Sequence, residues 1–171
     1  MSARVLVAGI GNIFLGDDGF GVEVAQRLRR RPARDGVRVE DYGIRGVHLS
    51  YELLDGYDAL VLVDAVPMDE PAGTVVVMEP DPPSPVTDGL GGPVLEAHSM
   101  DPVVVLDLLA GLGGTVDRVL VVGCAPASLD EGIGLSAAVE GAVDRAVDAI
   151  EDLLGDLCAP IARTDAKETC P

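Results

Sequence analysis

Three residues with acid–base or metal-binding side chains follow predicted strands of this sequence: Asp18, Asp64 and His98. Asp18 lies in the loop after the first apolar run, Asp64 is the last residue of the third, and His98 lies just before a predicted helix. Because ligands gather at the carboxyl ends of the strands in open α/β sheets, we expect the three side chains at one sheet edge. Two carboxylates and an imidazole there would form a nitrogen–oxygen site for a divalent transition metal.

Each of the three residues also has a structural alternative. Asp18 could cap a helix that begins near Gly19 or Phe20, which is a common role for aspartate. Asp64 could be a turn residue, and His98 could be a structural histidine or the neighbour of a helix cap. The shared placement of the three at the ends of strands favours the functional interpretation over the separate structural ones.

Other motifs of catalysis and cofactor binding fail on their spacing. Gly9 and Gly11 follow a strand, but the third glycine of a dinucleotide fingerprint would fall at Phe14. The sequence has no phosphate-binding G-x-x-x-x-G-K-[ST] and no G-x-S-x-G, so an ordinary serine hydrolase is not expected. A pair of Cys124 with His98 is conceivable, but Cys124 ends a buried strand and is expected to be an inert core thiol.

The apolar runs and turn residues predict an α/β domain. Apolar runs predict strands over 4–10, 37–42, 59–64, 74–78 and 118–123, and helical periodicity predicts helices over 20–31, 47–54, 101–112 and 136–157. This order predicts a mostly parallel twisted sheet with helices on both faces. The connection before 74–78 is too short for a crossover helix, so this strand is expected to be an antiparallel edge strand.

The composition bounds the class of protein. The chain has 171 residues, which we interpret as one domain over 1–157 and a disordered tail over 158–171. Its net charge of −17 disfavours nucleic acid and anionic membranes as partners, although an acidic proteome would explain the same charge. Three cysteines without a C-x-x-C pair, no signal segment and no membrane-length apolar run favour a cytoplasmic protein.

Six segments together resemble the hydrogenase maturation endopeptidases, and the resemblance covers about residues 4 to 156. The most specific is G-I-G-N-I-F-L-G-D-D-G-F-G at 9–21. The other five follow in order: D-Y-G-I-R-G at 41–46, L-V-D-A at 62–65, H-S-M-D-P at 98–102, V-G-C-A-P at 122–126 and I-G-L-S at 133–136. The resemblance implies a three-layer α/β fold with a five-stranded sheet.

The resemblance also implies an activity and a site. The expected activity is one cut that removes the C-terminal extension of a nickel-iron hydrogenase large-subunit precursor after nickel insertion. Matching the motifs makes Asp18, Asp64 and His98 the metal-contacting residues, with Asp17 as an alternative to Asp18. The metal would be nickel carried by the precursor, although zinc or cadmium could occupy the same site. Asp18 and Asp64 would be catalytic, either through that metal or as an aspartic-protease-like pair that shares a proton.

Two further interpretations stay open at this point. Gly43 and Gly46 would permit positive φ or close approach of a substrate tail, or they form an ordinary strand-to-helix turn. The same three ligands could serve a non-catalytic nickel carrier or checkpoint protein, or a related peptidase could act on another precursor, such as a spore protein. The stretch 80–92, rich in proline and glycine, is either a mobile flank of the cleft or a passive loop.

Overall fold

One mixed sheet organises the computed structural model, which describes residues 2–80 and 102–159. Its strands are β1 (Val5–Ile10), β2 (Val37–Gly43), β3 (Ala59–Ala65), β4 (Val75–Met78) and β5 (Arg118–Cys124). The helices in these ranges are α1 (Phe20–Leu28), α2 (Gly46–Leu53), α3 (Pro102–Gly111) and α4 (Ala137–Leu157), and one 3₁₀ turn spans Gly16–Gly19. The strands and helices predicted from the sequence are therefore all present.

The strand order is β2-β1-β3-β5-β4. β1 pairs in parallel with β2 and β3, and β3 pairs in parallel with β5. β4 pairs antiparallel with β5 at the edge of the sheet, as its short connection predicts. The β1 segment is buried along its whole length because helices cover both faces, and this explains its unbroken apolar run.

Two cores lie on opposite faces of the sheet. α1 and α4 pack on one face, where Phe20, Val143 and Ile150 are fully buried. α2 and α3 cover the other face, with Leu49, Leu53 and Leu109 in its core. This confirms the three-layer α/β fold with a mostly parallel five-stranded sheet and helices on both faces.

Some predicted boundaries are wrong. α1 ends at Leu28 and not at residue 31, because the amides of Arg30 and Arg31 bond three residues back in a tighter turn before Pro32. The predicted loop 11–19 contains the 3₁₀ turn, and β3 and β5 each run one residue further, to Ala65 and Cys124.

Parts of the prediction lie outside the described residues: the helix start at 101, nearly all of the loop 80–92, and 160–171 of the tail. α4 ends at Leu157, where the predicted domain ends, and Cys158 caps it. In the two described ranges, no helix has the length and apolar character needed to cross a membrane.

Gly21 allows α1 to begin directly against the sheet. A Cβ on Gly21 would overlap the carbonyl oxygens of Ile10 and Val63, which belong to two neighbouring strands. We expect Gly21→Ala to lower the free energy of unfolding by about 3 kcal/mol, because backbone atoms on rigid strands cannot move aside. Urea denaturation of the purified variant measures the change.

A matched glycine in another helix supplies the control for Gly21. Gly141 lies on the exposed side of α4, and a Cβ there would meet nothing within 4 Å. Gly141→Ala should therefore stabilise the chain by about 0.5 to 1 kcal/mol through helix propensity alone. Equal effects of the two substitutions on the free energy of unfolding would show that close packing of α1 on the sheet is not the reason for a glycine at position 21.

Candidate active site at the carboxyl edge of the sheet

The site forms where the order of the strands reverses. From β1 the chain passes through α1 to β2 on one side, and from β2 it returns through α2 to β3 on the other side of β1. The carboxyl ends of β1 and β3 therefore flank a switch point, the usual position of a ligand site in such sheets. Asp18 lies in the 3₁₀ turn after β1, and this turn packs against β3, where Asp64 is the penultimate residue.

Asp64 is a carboxyl group in a largely apolar position. Side chains alternate along β3, so Asp64 lies on the same face as Leu60 and Leu62, the face covered by α2 and α3. Burial and the nearby negative charge of Asp18 raise the pKa of Asp64 to about 8, although a hydrogen bond from the backbone of Ala65 opposes this shift. Without a cation nearby, Asp64 is mainly protonated at neutral pH.

Asp18 is the second carboxylate of the site and has a single hydrogen-bond partner in the described ranges. Burial raises its pKa, while the backbone N–H of Asn12, which donates to Oδ2 at 2.7 Å, acts in the opposite direction. Asp18 makes no cap: neither the 3₁₀ turn nor α1 has a side-chain cap hydrogen bond. The helix-cap interpretation of Asp18 is therefore wrong, and the carboxylate stays available at the switch point.

Asp17 has a different environment from its neighbour. Its side chain is 1% exposed, and Oδ2 accepts hydrogen bonds from the N–H groups of Ala127 and Ser128, at 2.8 and 3.2 Å. Ser136 donates its N–H to Oδ1 at 2.6 Å and its hydroxyl to Oδ2 at 2.9 Å. Burial acts to raise the pKa of Asp17, but these hydrogen bonds outweigh it and the pKa is lowered. Asp17 thus ties the loop after β1 to the loop after β5.

Sequence reasoning considered Asp17 only as an alternative to Asp18 and missed this structural role. Its partners lie 110 to 119 residues away along the chain. The nearest signal in the sequence is the I-G-L-S segment, whose Ser136 is the N-cap of α4. A pattern of residue types does not show that this serine meets Asp17.

The two glycines predicted for substrate binding differ in conformation. Gly43 ends β2 with φ 55°, and its carbonyl oxygen accepts a hydrogen bond from the N–H of Gly11 at 2.9 Å. Gly46 is the first residue of α2. The turn between them therefore lies beside the loop that carries Asp18, and only Gly43 uses the left-handed backbone region that favours glycine. Their contact with a substrate stays a prediction.

His98 lies outside the described residues, four positions before Pro102. Since α3 is followed by a short connection to the amino end of β5, α3 begins at the carboxyl edge of the sheet with Pro102. In residues 2–80 and 102–159, no group of three histidine, cysteine or acidic side chains could hold a metal ion. Whether His98 joins the two carboxylates stays a prediction.

Cys124 does not offer an alternative nucleophile. Its side chain is fully buried in the core beneath α1 and α4. Burial, and then the negative charge of Asp17, raise the pKa of the thiol, so the thiolate is disfavoured at neutral pH. The expectation of a buried, inert core thiol agrees with this environment.

These features define a class: a doubly wound α/β domain with two neighbouring carboxylates at its switch point. The family model described as hydrogenase maturation protease matches residues 22–153. The chain therefore belongs to the hydrogenase maturation protease family, which confirms the resemblance found in its motifs.

Named relatives and a solved structure agree with the family. The chain is 31% identical over 140 residues to the hydrogenase expression/formation protein HupD of Rhizobium leguminosarum bv. viciae, covering 81% of this chain and 67% of the relative. HupD of Rhodobacter capsulatus is 34% identical over 140 residues, covering 81% of this chain and 65% of the relative. The chain thus spans about two thirds of the length of these relatives. The hydrogenase maturating endopeptidase HybD from E. coli has TM-score 0.72 and 26% identity, covering 90% of this chain and 93% of that one.

Proposed function

We propose that this chain is an endopeptidase that removes the C-terminal extension of a nickel-iron hydrogenase large-subunit precursor after nickel insertion. The family supports the reaction class, because its named members are proteases and endopeptidases. The observation that carries the site is the carboxylate pair of Asp18 and Asp64, close enough for the charge of one to raise the pKa of the other. Two such groups at a switch point suit cation binding or acid–base chemistry.

The two carboxyl groups of this pair support nickel recognition. Partly buried carboxylates without a cation carry a desolvation cost, and no ion pair in the described ranges includes Asp18 or Asp64. A divalent ion carried by the precursor would offset that cost. Carboxylate oxygens with the imidazole of His98 suit nickel, and also zinc or cadmium. We therefore assign Asp18, Asp64 and His98 as the residues that contact the nickel of the loaded precursor.

The same pair provides groups for hydrolysis of the peptide bond. In the absence of a bound cation, a pKa of about 8 keeps a proton on Asp64, and the negative charge of Asp18 that helps to raise this pKa makes Asp18 the ionised member of the pair. Where nickel does not contact Asp64, Asp18 is the candidate to accept a proton from the attacking water, and Asp64 is the candidate to donate one to the leaving amine. Nickel in the precursor would add polarisation of the water or the scissile carbonyl. In this proposal the main role of the site is to recognise nickel, and its contribution to catalysis is secondary.

A cleavage assay with the cognate precursor, with and without nickel, tests the proposal. We expect mass spectrometry to detect loss of one C-terminal peptide from the loaded precursor alone. His98→Ala should abolish that loss, while His48→Ala should not, because His48 is the other histidine of the chain and lies exposed on α2. Equal cutting of both precursor forms would remove nickel recognition from the proposal. Binding of a verified loaded precursor without any cut would favour the non-catalytic checkpoint.

A further inference from the structure

Among the residues that the structure describes, five large apolar side chains are exposed in the loops at the carboxyl edge of the sheet, and we call them the apolar rim. They are Ile13, Phe14, Ile44, Leu129 and Ile133, with exposed fractions of 45%, 60%, 68%, 40% and 80%. Single exposed apolar side chains are common on protein surfaces, but a group of them on loops beside a candidate active site marks an interaction surface.

Backbone hydrogen bonds hold the three loops of the apolar rim together. The N–H of Gly16 donates to the carbonyl of Gly132, and the N–H of Gly132 donates to the carbonyl of Phe14, both at 2.9 Å. On the other side, the N–H of Gly11 donates to the carbonyl of Gly43 at 2.9 Å, which places Ile44 beside the loop after β1. Ile13 and Phe14 therefore lie on the loop that carries Asp18, and the other members of the rim lie on loops bonded to it.

The rim side chains are not needed to hold these loops in place. The buried carboxylate of Asp17 and the backbone bonds already fix the loops after β1 and β5. Neither buried core contains a member of the rim. Exposure of Phe14 and Ile133 to water therefore brings no stability that the fold requires, and a binding partner would give apolar side chains at these positions a physical role.

The charge around the rim restricts the partner. Asp130 and Glu131 lie exposed between Leu129 and Ile133, and neither makes an ion pair with another described residue. Arg45, next to Ile44, is a cation at this edge, but it pairs with Asp41 at 4.0 Å and donates to the carbonyl oxygens of Asp41 and Tyr42. Most of the other described arginines lie at the opposite, amino edge, where Arg29, Arg38 and Arg118 pair with acidic side chains. A rim that is apolar and acidic complements a segment that carries apolar and basic side chains.

We propose that the apolar rim docks a segment of the substrate precursor in which Leu, Ile, Val or Phe side chains stand next to Lys or Arg. This inference rests on the proposed peptidase function and adds to it the chemistry of the substrate surface. The rim lies beside the carboxylate pair and is not part of it. It contributes to binding of the precursor and leaves the chemical step unchanged, so its loss acts on KM and not on kcat.

The double variant Phe14→Ser/Ile133→Ser tests the docking surface. With the nickel-loaded precursor we expect KM to rise by about tenfold to a hundredfold while kcat stays within about twofold. The melting temperature should not fall, because both side chains are mostly exposed in the free protein. The control is Leu54→Ser, for which we expect an unchanged KM. Leu54 is 40% exposed, like Leu129, but it lies at the amino edge, beside Asp55, whose carbonyl accepts a hydrogen bond from the Arg4 side chain.

A direct binding assay separates this inference from the peptidase proposal. The loaded precursor is titrated onto the Asp64→Asn chain, with and without the rim substitutions, because cleavage by this variant is expected to be slow compared with the measurement. If binding depends on the rim but the wild-type chain does not cleave the precursor, the peptidase proposal would be wrong and the docking surface would stand. If the rim variant cleaves normally and its KM and Kd stay within about twofold of the wild type, the docking surface would be wrong and the peptidase proposal would stand.

Salt dependence tests the basic character of the docked segment. Binding should weaken between about 50 and about 300 mM NaCl, and Asp130→Asn/Glu131→Gln should reduce that dependence. An unchanged salt response of this variant would overturn the basic part of the proposal. Sedimentation of the free chain tests whether a second copy of the chain occupies the rim. A dimer that the rim substitutions dissociate, while precursor binding stays unchanged, would assign the rim to that second copy.

Discussion

Asp64→Asn is expected to slow cleavage of the nickel-loaded precursor by about 10²- to 10⁴-fold while it makes the metal-free protein more stable at alkaline pH. The amide has nearly the shape of the carboxyl group but neither donates an acid proton nor carries the charge that would contact nickel. The substitution therefore removes the proposed chemistry of Asp64 and leaves its packing on β3 intact. Single-turnover cleavage, followed by mass spectrometry, measures the rate.

The stability gain has a sign and a pH window that follow from the pKa of Asp64. An unfolded chain titrates this carboxyl near 3.8, whereas the folded protein titrates it at about 8. The folded state thus holds the proton more tightly. The resulting contribution to the free energy of unfolding is fully present below about pH 4 and is lost as the pH rises through about 8. The advantage of Asp64→Asn over the wild type should grow by about 3 to 5 kcal/mol between these limits.

Urea denaturation in the presence of a chelator, at several pH values, measures this advantage. Asp58→Asn is the control, because Asp58 is exposed just before β3 and its carboxylate accepts the N–H of Arg4 at 2.7 Å. That control should lose stability and show no gain at alkaline pH. A constant difference between Asp64→Asn and the wild type at every pH would contradict the raised pKa. A normal cleavage rate for Asp64→Asn would remove Asp64 from the proposed mechanism.

The sheet could be predicted because its signals are local. The apolar run at 59–64 has the length and composition of a strand buried on both faces. The short connection after it predicts that the next strand runs antiparallel, and this strand, β4, pairs antiparallel with β5. Element ends were less accurate, as at α1, because apolar periodicity does not distinguish a final 3₁₀ turn from helix. The order β2-β1-β3-β5-β4 was not predicted from the sequence, since it depends on which strands pair across the chain.

Only part of the site could be predicted, because some of its contacts join residues that are far apart in the sequence. The position of Asp64 follows from its place near the end of β3, and strand polarity brings it to the carboxyl edge. The roles of Asp17 and Asp18 depend on distant groups: Asp17 accepts hydrogen bonds from the loop after β5, whereas Asp18 lies close to Asp64 of β3. Two adjacent residues of the same type give no sequence signal for this difference. The apolar rim was also missed, because exposed loop residues carry no periodicity.

Asp17→Asn is expected to lower the free energy of unfolding by about 3 to 4 kcal/mol. The carboxylate accepts hydrogen bonds from three backbone amides and the Ser136 hydroxyl, and it is almost fully buried. An amide would turn an NH₂ group toward donors, so buried N–H groups would lose their acceptor. The negative charge at the N-terminus of α4 would be lost as well, which removes a favourable interaction with the helix dipole.

The loss of stability has its own pH dependence. The pKa of Asp17 is lowered from 3.8, so its contribution is present above that value and is lost as the pH falls through the folded-state pKa. The difference between wild type and Asp17→Asn should therefore be largest at neutral pH and shrink in acid. Circular dichroism during urea denaturation at neutral and acidic pH measures both limits.

Asp18→Asn is the matched control for Asp17→Asn, because it makes the same chemical change one residue away. It removes one hydrogen bond, from the N–H of Asn12, at a partly exposed position, so it should change stability by about 1 kcal/mol or less. It should nevertheless abolish cleavage, whereas Asp17→Asn, assayed at a temperature where it is folded, should retain measurable activity. The reverse outcome, with activity lost at Asp17 and stability lost at Asp18, would exchange the roles of the two aspartates. Since both substitutions remove one negative charge from the same loop, net charge cannot account for a difference between them.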